Sequence, residues 1–548
     1  MSTTHATRHT HRAPPGMSRP GAGPATRALL KVTIRQDAHN IAPWVVLISV
    51  LSASSVLIYA WIFPDAADRT ALATAMRGNP ALSLIFGPAR DLSTSDGFNA
   101  WRAGQLGAFF AGLMTILIVI RNSRADEDSG RAELLASGVL ARQSRLAVAV
   151  AMATLASVAL GVVCFVLTVA CGGGLAATLV LSATFTASGL MFAGVAAIAA
   201  QLGSEARTAS SLAIATLAVC FVARGYIDTS GGGDWMTWLT PLGWLAQARP
   251  ATDNNPWPLL VALAFAVVLI AVAFVLQGRR DFGQGLLAGR PGPAEAGLAG
   301  TVWGLAVKLH RGALLSWSIG LTLLGLVLGN LASSVGDVLA DNPAMAAILA
   351  SGAVTVSDLT FAFVITILQL IAIIAAVMGV QMIQRVHAEE IDLRVEPLLA
   401  GSLHRSTYLA SNVVVALVGS GIAMMLAGTG LGVVASAADS SISIGEVIGQ
   451  ALLMIPGAWV LVALAVAAVG AAPGKRLVGW LGIVATFGLT ILGPTFRLPD
   501  WALSISPLRH VPHVSAVSPE WAGFVVLVGV VVALLAVGFV GFRHRDVL

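Results

Sequence analysis

Long apolar runs alternate with short polar intervals along the whole chain. Each run is long enough to cross a hydrocarbon core about 30 Å thick as a helix. The pattern predicts spans at 41–63, 103–121, 146–171, 176–202, 208–226, 258–277, 313–334, 359–383, 408–436, 446–470, 477–495 and 521–542, twelve in all. No polar interval between them is long enough for a soluble domain of any size. The predicted class is an all-α polytopic membrane protein of about 12 transmembrane helices.

Composition agrees, with 57% hydrophobic and only 11% charged residues. The net charge of +5 reflects the placement of loops about a membrane rather than affinity for nucleic acid. Of the 32 lysines and arginines, 24 fall in the N-terminal tail, the loops after even-numbered spans and the C-terminus. The other 8 lie in the remaining loops and adjoining span ends. By the positive-inside rule, both termini are expected in the cytoplasm and the chain in the inner (plasma) membrane. Trp235, Trp238, Trp244 and Trp257 crowd one outer loop, and Trp501 and Trp521 a later one, as an interfacial aromatic belt requires. Residues 1–26 lack the apolar core of a signal peptide and read as a disordered cytoplasmic tail. Cys164, Cys171 and Cys220 all sit in apolar runs, where an odd count gives no disulfide framework.

The sequence also repeats itself. NPALSLIFG at Asn79 has a counterpart in NPAMAAILA at Asn342, a displacement of 263. The same displacement carries a charged stretch, RADEDSGRAELLASGVLARQSRL from Arg124, onto HAEEIDLRVEPLLAGSLHRSTYL from His387. Glu127/Glu390, Arg131/Arg394, Glu133/Glu396, Gly138/Gly401 and Arg142/Arg405 are identical pairs. TPLGW at Thr240 echoes SPLRH at Ser506, and Arg280-Asp281 echoes Arg545-Asp546. The chain is expected to be a tandem duplication of a six-span unit, with its halves parallel. The first half is placed at 27–282 and the second at 305–548, joined by a cytoplasmic linker at 283–304.

Both charged stretches lie in the loop between the second and third spans of their half, near 125–143 and 388–406. Glu127–Arg131 and Glu390–Arg394 have the favourable (i, i+4) order for helix pairs. Ala132, Leu135 and Val139 line one apolar strip, as Val395 and Leu398 do the other. Gly138 and Gly401 are placed to end the helices. Each stretch is therefore predicted to be a short amphipathic helix with its glutamates exposed to cytoplasm. A solvated loop helix accounts for one such segment, whereas matched offsets in two point to a two-fold symmetric cytoplasmic partner. Asp128 and Arg145, unmatched in the second copy, are expected to serve solubility.

The twice-repeated pattern A-[DE]-E-x3-R-x-E-x-L-x2-G-x-L-x-R resembles the coupling-helix segment of ABC-2-type exporter permeases. The chain over residues 27–548 is similar to their fused twelve-span actinobacterial branch of polyketide-antibiotic (tetronasin-type) or multidrug exporters. That resemblance implies an ABC-2 (ABCG-like) exporter architecture with two copies of a separately encoded ATPase as partners. ATP and Mg would be held by those partners, with no cofactor bound by this chain. Glu127, Arg131, Glu133 and Arg142 would contact one ATPase, and Glu390, Arg394, Glu396 and Arg405 the other. Leu393 stands at the position of Gly130, and Pro397 at that of Leu134. The mixed basic and apolar stretches 27–40 and 305–315 resemble the family's interfacial elbow helices; basic flanks that anchor the spans are a compatible alternative. In relatives the second and fifth spans of each half line the substrate cavity. On the matching spans stand Phe109, Phe110, Phe221, Phe361, Phe363 and Phe487, for which ordinary helix packing or lipid contact is the alternative.

The chain has no P-loop: GAAPGKR at Gly470 is short by one residue and puts Arg476 where a hydroxyl would hold Mg²⁺. It is expected to be a transport subunit and not itself an enzyme. His310, His387, His404, His510 and His513 lack metal-ligand spacing, so no metal is expected. Arg224, Asp358 and Glu446 fall near span ends, which leaves Gln369 the most central polar group, with Gln105 and Gln381 nearer the ends. The expected function is ATP-driven export of hydrophobic or amphipathic small molecules through a membrane-embedded permease. A proton-coupled twelve-span carrier is the alternative; the near absence of intramembrane charge counts against it.

Overall fold

The computed structural model describes residues 22–62, 65, 69–70, 80–128, 143–229, 234–280, 285–287, 295, 297–340, 356–440, 442–492, 498–514 and 521–545. Among them, the long helices are α1 (Ala22–Ile62), α2 (Ser95–Arg121), α3 (Ser144–Ala170), α4 (Leu175–Leu202), α5 (Ala206–Thr229) and α6 (Trp257–Arg279). They continue as α7 (Val302–Ala340), α8 (Val356–Ile391), α9 (Arg405–Ala438), α10 (Ile444–Ala471), α11 (Val478–Phe487) and α12 (Trp521–His544). Eleven helices among the described residues are long and apolar enough to cross a membrane. The exception is α11, whose 10 residues continue through a π turn, Gly488–Leu492. The end of the predicted span 477–495 lies outside the described residues. This is a multi-pass membrane protein.

The chain divides into two units, Met1–Pro291 and Gly292–Leu548. In the first, α4 is the hub: α2, α3, α5 and α6 all pack on it, while α1 lies on α2 and α3. Small residues let the helices approach, as membrane interiors favour. Phe185 and Phe192 of α4 rest over Gly107 and Gly112 of α2, where an added Cβ would come within 2.4 and 2.7 Å of the rings. Buried hydroxyl and amide groups join α1, α2 and α3. Ser52 and Thr168 are 2.9 Å apart, and Asn99 Nδ2 donates to Ser52 at 3.0 Å. The side chain of Thr94 caps α2 at Gly97 N, and both carboxylate oxygens of Asp96 accept from Gly174 N–H just before α4.

In the second unit α10 is the hub, packed on α8, α9, α11 and α12, while α7 lies on α8 and α9. Where α10 crosses α12, a Cβ on Gly470 would sit 2.1 Å from the Gly538 carbonyl oxygen. Backbone therefore touches backbone there.

Two expectations change. The stretches 27–40 and 305–315 are not separate interfacial helices, because α1 and α7 run through them without a break, α1 with Pro43 inside it. At 1.5 Å per residue the 41 residues of α1 span about 60 Å, twice a hydrocarbon core, so its basic turns extend beyond the apolar layer. Helix also begins at Ala22, within the expected tail, and Leu286 and Leu287 of the expected linker donate backbone bonds to Gln201 and Leu202 at the end of α4.

Between the fifth and sixth helices of each unit the repeated Pro-Leu motif starts a short turn. Thr240 caps Pro241–Ala246, its Oγ1 accepting from Gly243 N, while Ser506 precedes Pro507–His510 and bonds Thr490 at 2.6 Å. Trp235, Trp238, Trp257, Trp501 and Trp521 are exposed in these regions, as the aromatic belt requires.

Candidate functional site

The repeated charged stretches close the same end of each unit on a buried glutamate. In the first unit α2 ends at Arg121, Asn122 caps it, and the short helix Arg124–Asp128 follows. Glu127 turns inward, its side chain 6% exposed, and accepts from Arg280 Nη2 at 2.6 and 2.9 Å. Arg124, wholly buried, donates to it at 2.7 Å, and Arg145 lies 3.9 Å away. Arg280 is the C-cap of α6, where a cation also complements the helix dipole. Arg124 further donates to the Ser204 carbonyl, and Asp128 accepts from Ala206 N–H at the start of α5. Asp128 and Arg145 thus join helices, contrary to the solubility role expected of them.

In the second unit α8 runs on through Ile391, and Glu390 is 4% exposed. Arg545, just past α12, donates to both its oxygens at 2.7 and 2.6 Å, and His387 Nδ1 lies 3.5 Å away. Arg405 Nη1 donates to the Arg545 carbonyl at 2.7 Å, and the Arg545 guanidinium lies over Phe542, which stacks on Tyr408.

The expectation of exposed glutamates is therefore wrong for Glu127 and Glu390, whereas Glu396 is exposed as expected. The expected Glu390–Arg394 pair does not form either, because the chain turns sharply at Leu393, with φ +58°, and sends Arg394 away. Arg394 instead pairs with Glu389 and Asp392 at 3.3 and 3.2 Å. The amphipathic helix expected over 388–406 is the end of α8, this turn, and one helical turn, Glu396–Leu399. Pro397 fits in that first turn, where its missing N–H costs nothing. Val395 is buried and Leu398 half-buried, as the apolar strip requires. Gly401 follows the turn without a left-handed backbone. Ile391, Leu393, Arg394, Glu396 and Pro397 form an exposed tip. Arg131, Glu133, Gly138 and Arg142 lie outside the described residues.

Arg280 and Arg545 are the residues that sequence reasoning missed as partners. Their signal was present in the Arg-Asp pair that occurs twice in the sequence, which does not by itself name what the arginines hold.

Of the aromatic candidates, the first unit brings three together. Phe109 meets Phe221 edge-on at 5.1 Å and Phe110 at 5.6 Å, and Phe110 in turn is 6.5 Å from Trp44. In the second unit Phe361 is buried in the core, Phe363 and Gln369 are half-buried on α8, and Phe487 is 39% exposed at the end of α11. Arg224, expected near a span end, is wholly buried, pairs with Asp228 at 2.7 Å and donates to the Leu84 carbonyl at 2.7 Å. It thereby ties α5 to the C-terminal turn of the short helix Pro80–Phe86.

Residues 39–276 and 300–543, each stretch within one unit, match the family model described as "Multidrug efflux system permease Rv1217c, C-terminal domain". The multidrug efflux system permease protein Rv1217c of Mycobacterium tuberculosis (strain ATCC 25618 / H37Rv) is 36% identical over 545 residues, covering 98% of this chain and 97% of the relative. With nearly its whole length matched in both comparisons, the chain belongs to the Rv1217c family of multidrug efflux system permeases.

Proposed function

We propose that this chain is the membrane subunit of an ATP-driven exporter of hydrophobic or amphipathic drugs and antibiotics, powered by two copies of a separately encoded ATPase. The carrying observation is the paired tie at the charged stretches. In each unit a glutamate at the end of the second helix or just past it grips an arginine just past the sixth, Glu127 with Arg280 and Glu390 with Arg545. A force applied to either stretch by a partner reaches the sixth helix of that unit through a buried ion pair. The exposed tip from Ile391 to Pro397 supplies apolar and charged groups for such a partner.

In this reading the chain is a twelve-span ABC-2-type permease of two six-span repeats, with both termini in the cytoplasm as the distribution of lysine and arginine favours. ATP-induced closure of the ATPase dimer draws the two coupling segments together, and the halves rock from inward-open to outward-open. The Phe109–Phe110–Phe221 cluster offers aromatic surface for apolar drugs. The relative's name, a multidrug efflux permease, supports export.

The buried Arg224–Asp228 pair is the feature a proton-coupled carrier would use. Here Asp228 is engaged by Arg224, which also binds a helix-terminal carbonyl, and the arrangement suits a fastening. Transport in vesicles separates the two readings. Efflux that requires the co-expressed ATPase and ATP, and survives an uncoupler, supports the exporter. Efflux by this chain alone that collapses with an uncoupler overturns it.

A further inference from the structure

A cavity of about 270 Å³ lies in the second unit between the first turns of α7, the strip Val395–Leu403 and the start of α9. Its walls are mainly apolar, with Leu305, Ala306 and Leu309 on one side and Val395, Leu398 and Leu403 on the other. Tyr408, 5% exposed, lines it, and its hydroxyl has no hydrogen-bond partner among the described residues. The ion pair of Glu389 and Arg394 stands at its edge, with Arg394 63% exposed. In the first unit the position matching Tyr408 is Arg145, beside Glu127.

The same turns of α7 show what level of the membrane this is. Their outward face carries Trp303, Val307, Lys308 and Arg311, all exposed, the mixture of aromatic, apolar and basic residues that settles at a membrane–water interface. The cavity lies directly behind that face. Its volume is many times what a single water needs and is large enough to take a segment of an alkyl chain.

We propose that this cavity is an acyl-chain site for a phospholipid of the adjoining leaflet, with Tyr408 and the Glu389–Arg394 pair meeting the polar part of the lipid. The chain packs against Leu398 and Val395, so its presence holds the one-turn helix Glu396–Leu399 against α7 and α9. The site is independent of what powers the protein.

Photolabelling tests it on the full chain, reconstituted in vesicles of phosphatidylethanolamine and phosphatidylglycerol with a trace of phospholipid bearing a diazirine on one acyl chain. Mass spectrometry after illumination is expected to find adducts concentrated in residues 302–309 and 395–412, above those at the exposed Leu315 and Ile319. Leu398→Trp and Ala306→Phe, which fill the cavity, should each cut those adducts about tenfold while labelling at Leu315 and Ile319 persists. If neither variant folds, the wild-type adduct map decides alone. Adducts no denser than at Leu315 and Ile319, adducts unchanged in both folded variants, or labelling only by a free diazirine fatty acid would each overturn the assignment.

Discussion

Glu390 and Arg545, 155 residues apart in the chain, are joined by hydrogen bonds of 2.7 and 2.6 Å, with the carboxylate 4% exposed. Glu390→Gln strands a mostly buried guanidinium. The expected cost is about 3 kcal/mol, at the lower end for a broken buried pair. The double substitution Glu390→Gln with Arg545→Gln should cost less than the sum of the singles. Thermal unfolding of the four proteins in detergent measures the coupling, and additive effects would count against the tie.

Glu127 serves three arginines, of which Arg124 is wholly buried and Arg280 and Arg145 are 6% and 12% exposed. Glu127→Ala therefore withdraws a carboxylate from more arginines than Glu390→Ala does. It should lower stability by about 1–2 kcal/mol more, within the range for a broken buried network. Comparing the two variants by yield of folded protein and by melting temperature checks the order.

Leu393 holds a left-handed backbone while 56% exposed, so little packing is at stake in its side chain. Leu393→Gly should be neutral or stabilising by up to about 1 kcal/mol, because glycine adopts this conformation without strain. Leu393→Val should destabilise by about 1 kcal/mol, since β-branching disfavours it further. The glycine at the matching position of the first copy fits this reading.

Arg394 and Glu396 are exposed, so Arg394→Ala with Glu396→Ala should shift stability by no more than about 0.5 kcal/mol per site. On the proposed coupling role it should nonetheless reduce co-purification of the ATPase or drug-stimulated hydrolysis. Normal assembly and flux in a well-folded double variant would remove these residues from the interface.

Phe109 and Phe221 meet edge-on at 5.1 Å. A double-mutant cycle to alanine should give a coupling of about 1 kcal/mol from the ring pair. If the cluster also meets drugs, the order of compounds exported should change in Phe221→Ala at equal protein level. An unchanged order would leave the cluster a packing feature alone.

Hydropathy made the membrane class and most of the spans legible, because bilayer thickness and apolar spacing are written along the chain itself. The apolar strip of Val395 and Leu398 was readable for the same reason. What sequence could not decide was direction. The (i, i+4) arginine that follows each of Glu127 and Glu390 points both to solvent, yet only the path of the chain shows which arginine arrives. α8 extends to Ile391 and α12 ends one residue before Arg545, so the buried carboxylate meets a cation brought from 155 residues away, while the turn at Leu393 carries Arg394 to Glu389. Likewise, Arg224 looked like a span-end charge until the carbonyl end of Pro80–Phe86 was packed against it. Local spacing determines which residues can form helices. Burial of a charge is settled by the partner that folding delivers, because an ion leaves water at tolerable cost only where an opposite charge and hydrogen bonds already wait.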